Sequence, residues 1–370
     1  MDNEFIEIDG SYLEGGGQIL RTALSLSAIM KKPCRIFNIR RGRPNPGLAA
    51  QHLLGAQALA QLYNGRLEGD SLGSEEIKFW PEEIKINDIS VKIETAGSIT
   101  LVLQTLIPPA LFSLSPVKIT FNGGATDTFF SPTIDHFRYV FLKILEKAGG
   151  KVEVNVIRRG FYPEGGAKVE VIIFPSKLKS LNLTEKGKLQ KITAISGASE
   201  SLKSKKVAER QMAGVRKILG KLKLPVEERI EYYETSSPGS QVCLIAEFAL
   251  RQAQGNPEQS RRIGNTVIGI DNLGKLGKRS EDVGKEAALE LLKEEKTQAC
   301  LDKHLADQIL IFLSLVSGPE GMPLASYGVK KSQVTVSEIT NHARTNIWTI
   351  QQFLNGEFKV EGNLISWVPK

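Results

Sequence analysis

The chain repeats itself, and the repeat restricts it to folds built from several copies of one unit. Glu14-Gly15-Gly16-Gly17-Gln18 opens an apolar run through Arg21-Thr22 that ends at Lys32-Pro33-Cys34-Arg35-Ile36. The shift that lays Gln104-Thr105 on Arg21-Thr22 also lays Pro116 on Pro33, with Val117-Lys118-Ile119 following as a second β-like run. A third copy starts at His304-Leu305-Ala306-Asp307-Gln308 and runs into Ile309 to Leu313. Each copy then holds another helical run closed by glycine, at Gly65, Gly150 and Gly356. Counting back equally from each glycine reaches Gln51, His136 and His342. Polar groups at equivalent helix starts predict one site where the units meet.

Periodicity fills in the unit. Residues 5 to 8 alternate as a short strand, and Gln18 to Lys31 has the apolar spacing of a helix with one buried face. Pro33 stops that helix and Cys34 to Ile39 returns as a strand. Pro46-Gly47 opens a second helix through Tyr63, ended by Asn64-Gly65, and strands near 66–69 and 76–80 close the unit. The same β-α-β-α-β-β order runs over roughly 88–174. The expected class is therefore α+β, two helices over a four-stranded sheet in each unit.

The third copy is interrupted. Lys188 to Ile195 reads as its first strand, while its helix, Leu305 to Val316, comes much later. Between them fall a basic helical run (Ser204 to Leu219), strands near 230–235 and 241–249, loop-like Gln252 to Arg262, and a helical run from Glu281 to Glu295. Gly187 and Gly274 to Gly277 bound a small α/β domain inserted at a loop. The expected division is 186–280 for the insert and 1–185 with 281–370 for the large three-unit body.

With 370 residues, a net charge of +7 and a pI near 9.1, the chain suits a polyanionic partner. Arg35, Arg40, Arg41 and Arg43 crowd one stretch, and Arg158-Arg159 precedes another Gly-rich turn. Lys203, Lys205 and Lys206 fit a solvated helix face. No long uncharged apolar stretch predicts a membrane span. The acidic start Met1-Asp2-Asn3-Glu4 is unlike a signal peptide, and three scattered cysteines fit a reducing cytoplasm rather than a metal cluster.

The Gly-rich turn at 14–18 lies between a strand and a helix, where backbone amides and the helix dipole favour phosphate, although no Walker A lysine follows. A carboxylate at Glu14 beside phosphate requires a divalent cation between them, Mg²⁺ or Mn²⁺. Arg21 with Arg40, Arg41 and Arg43 can clamp phosphates, or form solvated ion pairs. Of four histidines (His52, His136, His304, His342), His342 stands apart within Thr340-Asn341-His342-Ala343-Arg344-Thr345-Asn346. A neutral, oriented imidazole is a competent nucleophile toward phosphorus.

These motifs resemble the RNA 3′-terminal phosphate cyclase family. The resemblance rests on Glu14 to Arg21, Arg40 to Gly47 with Gln51-His52, Gly97 to Thr105, Gly160-Phe161-Tyr162-Pro163, Leu305-Ala306-Asp307-Gln308 and His342 to Asn346. It implies three repeats like those of EPSP synthase plus the inserted domain, and an ATP-dependent reaction through a histidine-AMP intermediate on His342. It further implies an adenosine site lined by Gln104, Pro132, His304, Leu305, Ala306, Asp307 and Gln308, with Glu14 holding the metal. Arg21, Arg40, Arg43 and Gln51, supported by His52, would handle phosphates of ATP or of RNA 3′-phosphate ends. His304 stands where relatives often carry Tyr, which keeps a ring for stacking on adenine. The family also has a non-catalytic, RNA-binding branch in ribosome assembly that lacks the nucleophilic histidine; His342 argues for the enzyme.

Overall fold

A computed structural model describes residues 5–250, 266–317 and 331–370. The first sheet contains β1 (Ile6–Asp9), β2 (Cys34–Phe37), β3 (Arg66–Glu68) and β4 (Ile77–Trp80), in the order β1-β2-β4-β3. β1 and β2 are parallel, and β4 runs antiparallel to both its neighbours. Helix α1 (Gly17–Met30) ends where Lys31 turns left-handed at φ 52°, one residue before Lys32-Pro33. It was expected to bury one face; instead Ile19, Leu20 and every residue from Thr22 to Met30 are buried. Other helices pack around it on several sides, and its apolar surround accommodates them all. Helix α2 (Ala50–Tyr63) starts three residues later than Gly47, whose φ of 78° lies outside helical space.

The second sheet, β5 (Asp88–Ser98), β6 (Val117–Ala125), β7 (Lys151–Arg158) and β8 (Lys168–Phe174), has the order β5-β6-β8-β7. It carries α3 (Ile99–Ala110) and α4, a continuous helix formed by Ile134–His136, a π turn at Phe137–Phe141, and Leu142–Lys147. The short strand β9 (Asn182–Leu183) follows.

Next come β10 (Lys188–Ser199), a 3₁₀ turn at Glu200–Lys205, α5 (Val207–Leu219), β11 (Val226–Tyr233), β12 (Ser240–Ala249), β13 (Thr266–Leu273) and α6 (Ser280–Lys296). The expected loop at Gln252 to Arg262 lies outside the described residues. These strands form their own sheet, ordered β11-β10-β12-β13. One expectation is corrected. Lys188–Ser199 does not open the third unit, because it pairs with β11 and β12. The strand beside β14 is instead β9, whose two residues carry no readable alternation. Helix α6 buries Val283, Ala287, Ala288 and Leu291 against this sheet. Val242, Leu244 and Ala246 of β12 face those helices, while alternate residues Cys243 and Ile245 join the main core. Strand β12 is thus buried on both faces.

The remaining elements are α7 (Lys303–Ser314), β14 (Ser332–Thr335), α8 (Asn341–Gln351), β15 (Gly356–Glu361) and β16 (Leu364–Pro369). Their sheet, completed by β9, has the order β15-β16-β14-β9. Among the described residues no helix is long and apolar enough to cross a membrane.

Candidate active site

The site forms where α1, α3, α7 and α8 meet. Thr22 of α1 donates to Asn346 Oδ1 of α8 at 2.9 Å, and Asn346 Nδ2 donates to the Asp307 carbonyl of α7 at 3.0 Å. Gln104 of α3 donates to Gln308 of α7 at 3.1 Å, and Gln308 donates to the His304 carbonyl. Tyr12 stacks on Trp348, with ring centroids 4.2 Å apart, and ties the Gly-rich turn to α8. These bonds link stretches far apart in sequence around a crevice of about 30 Å³, lined by Gln18, Arg21, Gln104, Asp307, Gln308 and Asn346. It holds a water or two. A far larger cavity of about 580 Å³, between α4 and the inserted sheet, touches none of these groups.

At the mouth stands His342, on the first turn of α8, which Thr340 caps by accepting from the Ala343 amide. Its Nε2 lies 2.5 Å from Glu14 Oε2, and its Nδ1 lies 3.8 Å from Asp307 Oδ2. Arg43 approaches the same Glu14 oxygen at 3.7 Å. That oxygen is buried without an aligned hydrogen bond, with the His342 ring and Arg43 against it. Among the described residues no three His, Cys, Asp or Glu side chains are placed to hold a metal unaided. One carboxylate plus substrate phosphates is the usual Mg²⁺ environment, and Glu14 fits it.

Burial holds the His342 imidazole below its usual pKa; Glu14 opposes this, while Arg21, Arg43 and His304 reinforce it. Burial thus favours the neutral ring, the form that carries a nucleophilic lone pair. Burial pushes Asp307 up to about 7, despite the nearby Arg21 cation. Arg21 is lowered by burial to about 10 and remains charged.

Helix ends supply the phosphate-binding potential. Ser98, Asp302 and Thr340 cap α3, α7 and α8, whereas Gly16 and Ala49 begin α1 and α2 with no side-chain cap. The two uncapped ends adjoin, because the His52 ring of α2 packs on Gly17 of α1 and a Cβ at Gly17 would run into it. Arg40, at φ 52°, donates to the Gly47 carbonyl at 2.9 Å and closes the loop leading to α2. Free amides, aligned dipoles and arginines here converge on one region. Gln51, second in α2, lies half-buried beside Gly97. Pro132, in the loop before α4, is held by Thr100, whose hydroxyl donates to its carbonyl at 2.9 Å. His304 is exposed, but Leu305 and Ala306 are fully buried core residues, leaving only their backbone to meet a ligand.

Burial, with Arg21 and Arg40 nearby, drops the His52 pKa to about 3. A depressed folded pKa means stability present above the unfolded value of 6.5 and lost as pH falls toward 3. Melting between pH 7 and pH 5 should cost the wild type about 2 kcal/mol more than His52→Gln. Parallel losses in both proteins would place the acid sensitivity elsewhere.

Sequence reasoning missed a second polar cluster. Arg159, noted above only as preceding a Gly-rich turn, is buried; it donates to both Asp135 oxygens at 2.7 Å and to Asp127 at 3.3 Å. Gln241 of the inserted sheet donates to Asp135 at 2.8 Å, and Tyr233 lies under the guanidinium at 4.3 Å. Only the adjoining Gly160 hinted at it.

A histidine between two carboxylates, beside arginines and two uncapped helix ends, is an arrangement whose chemistry suits phosphate groups. The model of the family described as RNA 3′-terminal phosphate cyclase matches residues 12–360. The RNA 3′-terminal phosphate cyclase of Pyrococcus abyssi is 41% identical over 360 residues, covering 97% of this chain and 96% of its own length. That of Saccharolobus islandicus is 43% identical, covering 96% of each. The chain belongs to the RNA 3′-terminal phosphate cyclase family, and it is an enzyme of that family.

Proposed function

We propose that the protein converts an RNA 3′-phosphate into a 2′,3′-cyclic phosphate at the expense of ATP, through AMP carried on His342. What supports this reading above all is the His342 ring, whose burial favours the neutral form and which stands with Nε2 against Glu14 and Nδ1 toward Asp307. The unprotonated ring nitrogen of His342 attacks the α-phosphorus as the bond to pyrophosphate breaks, while the other ring nitrogen keeps its proton. AMP then passes to an oxygen of the RNA 3′-phosphate, which frees His342. The vicinal 2′-oxygen attacks that phosphorus, gives up its proton, and expels AMP as the ring closes. Adenylation supplies the leaving group that a bare phosphate lacks.

Arg21, Arg40, Arg43 and Gln51 bind the phosphates, with His52 propping the two helix ends. Gln104, Pro132, His304, Asp307 and Gln308 surround the adenosine, together with the backbone of Leu305 and Ala306. When bound, Mg²⁺ or Mn²⁺ neutralises the triphosphate, and Glu14 is the residue that would hold it. RNA is read by its end rather than by its bases, so binding weakens as salt rises.

The shared first-second-fourth-third strand order of the three main sheets supports three repeats of one β-α-β-α-β-β design. In this reading the inserted α/β domain extends through α6, beyond 280, and the third repeat resumes at α7. Buried free cysteines suit a reducing, cytoplasmic setting. Self-adenylation tests the scheme: α-labelled ATP without RNA should label the protein on His342 alone.

A further inference from the structure

Helix α4 is a wall of the crevice, since its Phe141 lines the same space as Arg21, Gln104 and Asp307. The loop entering α4 carries Pro132. Three groups from three parts of the molecule hold that loop and the helix start. Thr100 of α3 binds the Pro132 carbonyl, and Asp127 accepts from the Ile134 amide at 3.3 Å. The third is Asp271 of β13, which accepts the Thr133 amide at 2.6 Å. Of the three, only Asp271 comes from the inserted sheet, where it pairs opposite Cys243. A carboxylate at the positive end of a helix, on a short charge-assisted bond, is a strong grip. Gln241, from the neighbouring strand, grips Asp135 two residues further on.

We infer that the inserted sheet positions the ATP site: Asp271 holds the start of α4, and with it Pro132 and Phe141, in register with α1, α3 and α7. This rests on the ATP-dependent reading above. Asp271 is a positioning residue, so its loss acts on nucleotide binding and leaves the reacting groups in place.

The test is self-adenylation of the full-length protein against ATP concentration, followed by AMP transfer to a 3′-phosphorylated oligonucleotide. Asp271→Ala should raise the half-saturating ATP concentration about tenfold, with the maximal rate and the half-saturating RNA concentration little changed. Asp271→Asn keeps a neutral acceptor and should recover part of the affinity, leaving a weakening of about threefold against wild type. An unchanged ATP requirement in Asp271→Ala would overturn the inference, as would equal losses for ATP and RNA. If Asp271→Ala does not fold, Asp271→Asn decides: a weakening of about threefold supports the grip, and wild-type behaviour refutes it. If the wild type takes no label from ATP, the functional reading fails and the inference goes with it. A labelled wild type with an indifferent Asp271→Ala sinks the inference alone.

Discussion

His342→Ala should reduce label uptake from α-labelled ATP to background, a loss of at least about a thousandfold. Among the described residues, no other nucleophile sits between Glu14 and Asp307 beside the uncapped ends of α1 and α2. Cys34, Cys243 and Cys300 are buried, and their thiols are raised away from the reactive thiolate by burial. The side chain is half-exposed, so its removal should shift stability by about 0.5 kcal/mol or less. A variant that melts like the wild type and carries no label identifies the nucleophile. Label retained at another residue would contradict the assignment.

Arg159→Ala should be the most destabilising single substitution considered, at about 3–5 kcal/mol in urea unfolding. The guanidinium is buried against Asp127 and Asp135, and deleting it leaves two carboxylates close together without a counter-ion. Burial already pushes Asp127 up to about 6, ahead of the opposing pull of Arg159. Without Arg159 protonation becomes easier still, so the deficit should shrink as pH falls from 7 to 5. Adding Asp127→Asn and Asp135→Asn should return part of the stability. A loss under about 1 kcal/mol, or one that grows toward acid, would contradict this picture.

The parts of the fold legible in the sequence are those with local punctuation. Pro33 follows the end of α1, Asn64 and Gly65 close α2, and Gly356 starts β15, each through backbone chemistry that acts within a few residues. β9 was not legible, because two residues give no period and its ladder to β14 exists only through distant pairing. Lys188–Ser199 misled for the converse reason: it has a strong strand pattern, and a pattern does not say which sheet it joins. In the site, Glu14, His342 and Asp307 stood out as polar groups in Gly-rich or helix-start settings. Their contact across most of the chain length was not visible in any of those settings. The same holds for Arg159 and Asp271, whose partners lie on other strands and helices.

The central claim is tested most directly by offering the protein, ATP and Mg²⁺ two oligonucleotides that differ only in the 2′-hydroxyl of the 3′-phosphorylated terminal nucleotide. The ribose end should become resistant to phosphatase as AMP is released, since its 2′-oxygen closes the ring. The 2′-deoxy end should accept AMP and stop there, because the nucleophile for the last step is missing. Tight RNA binding with both ends unchanged would contradict the account and favour a non-catalytic assembly factor.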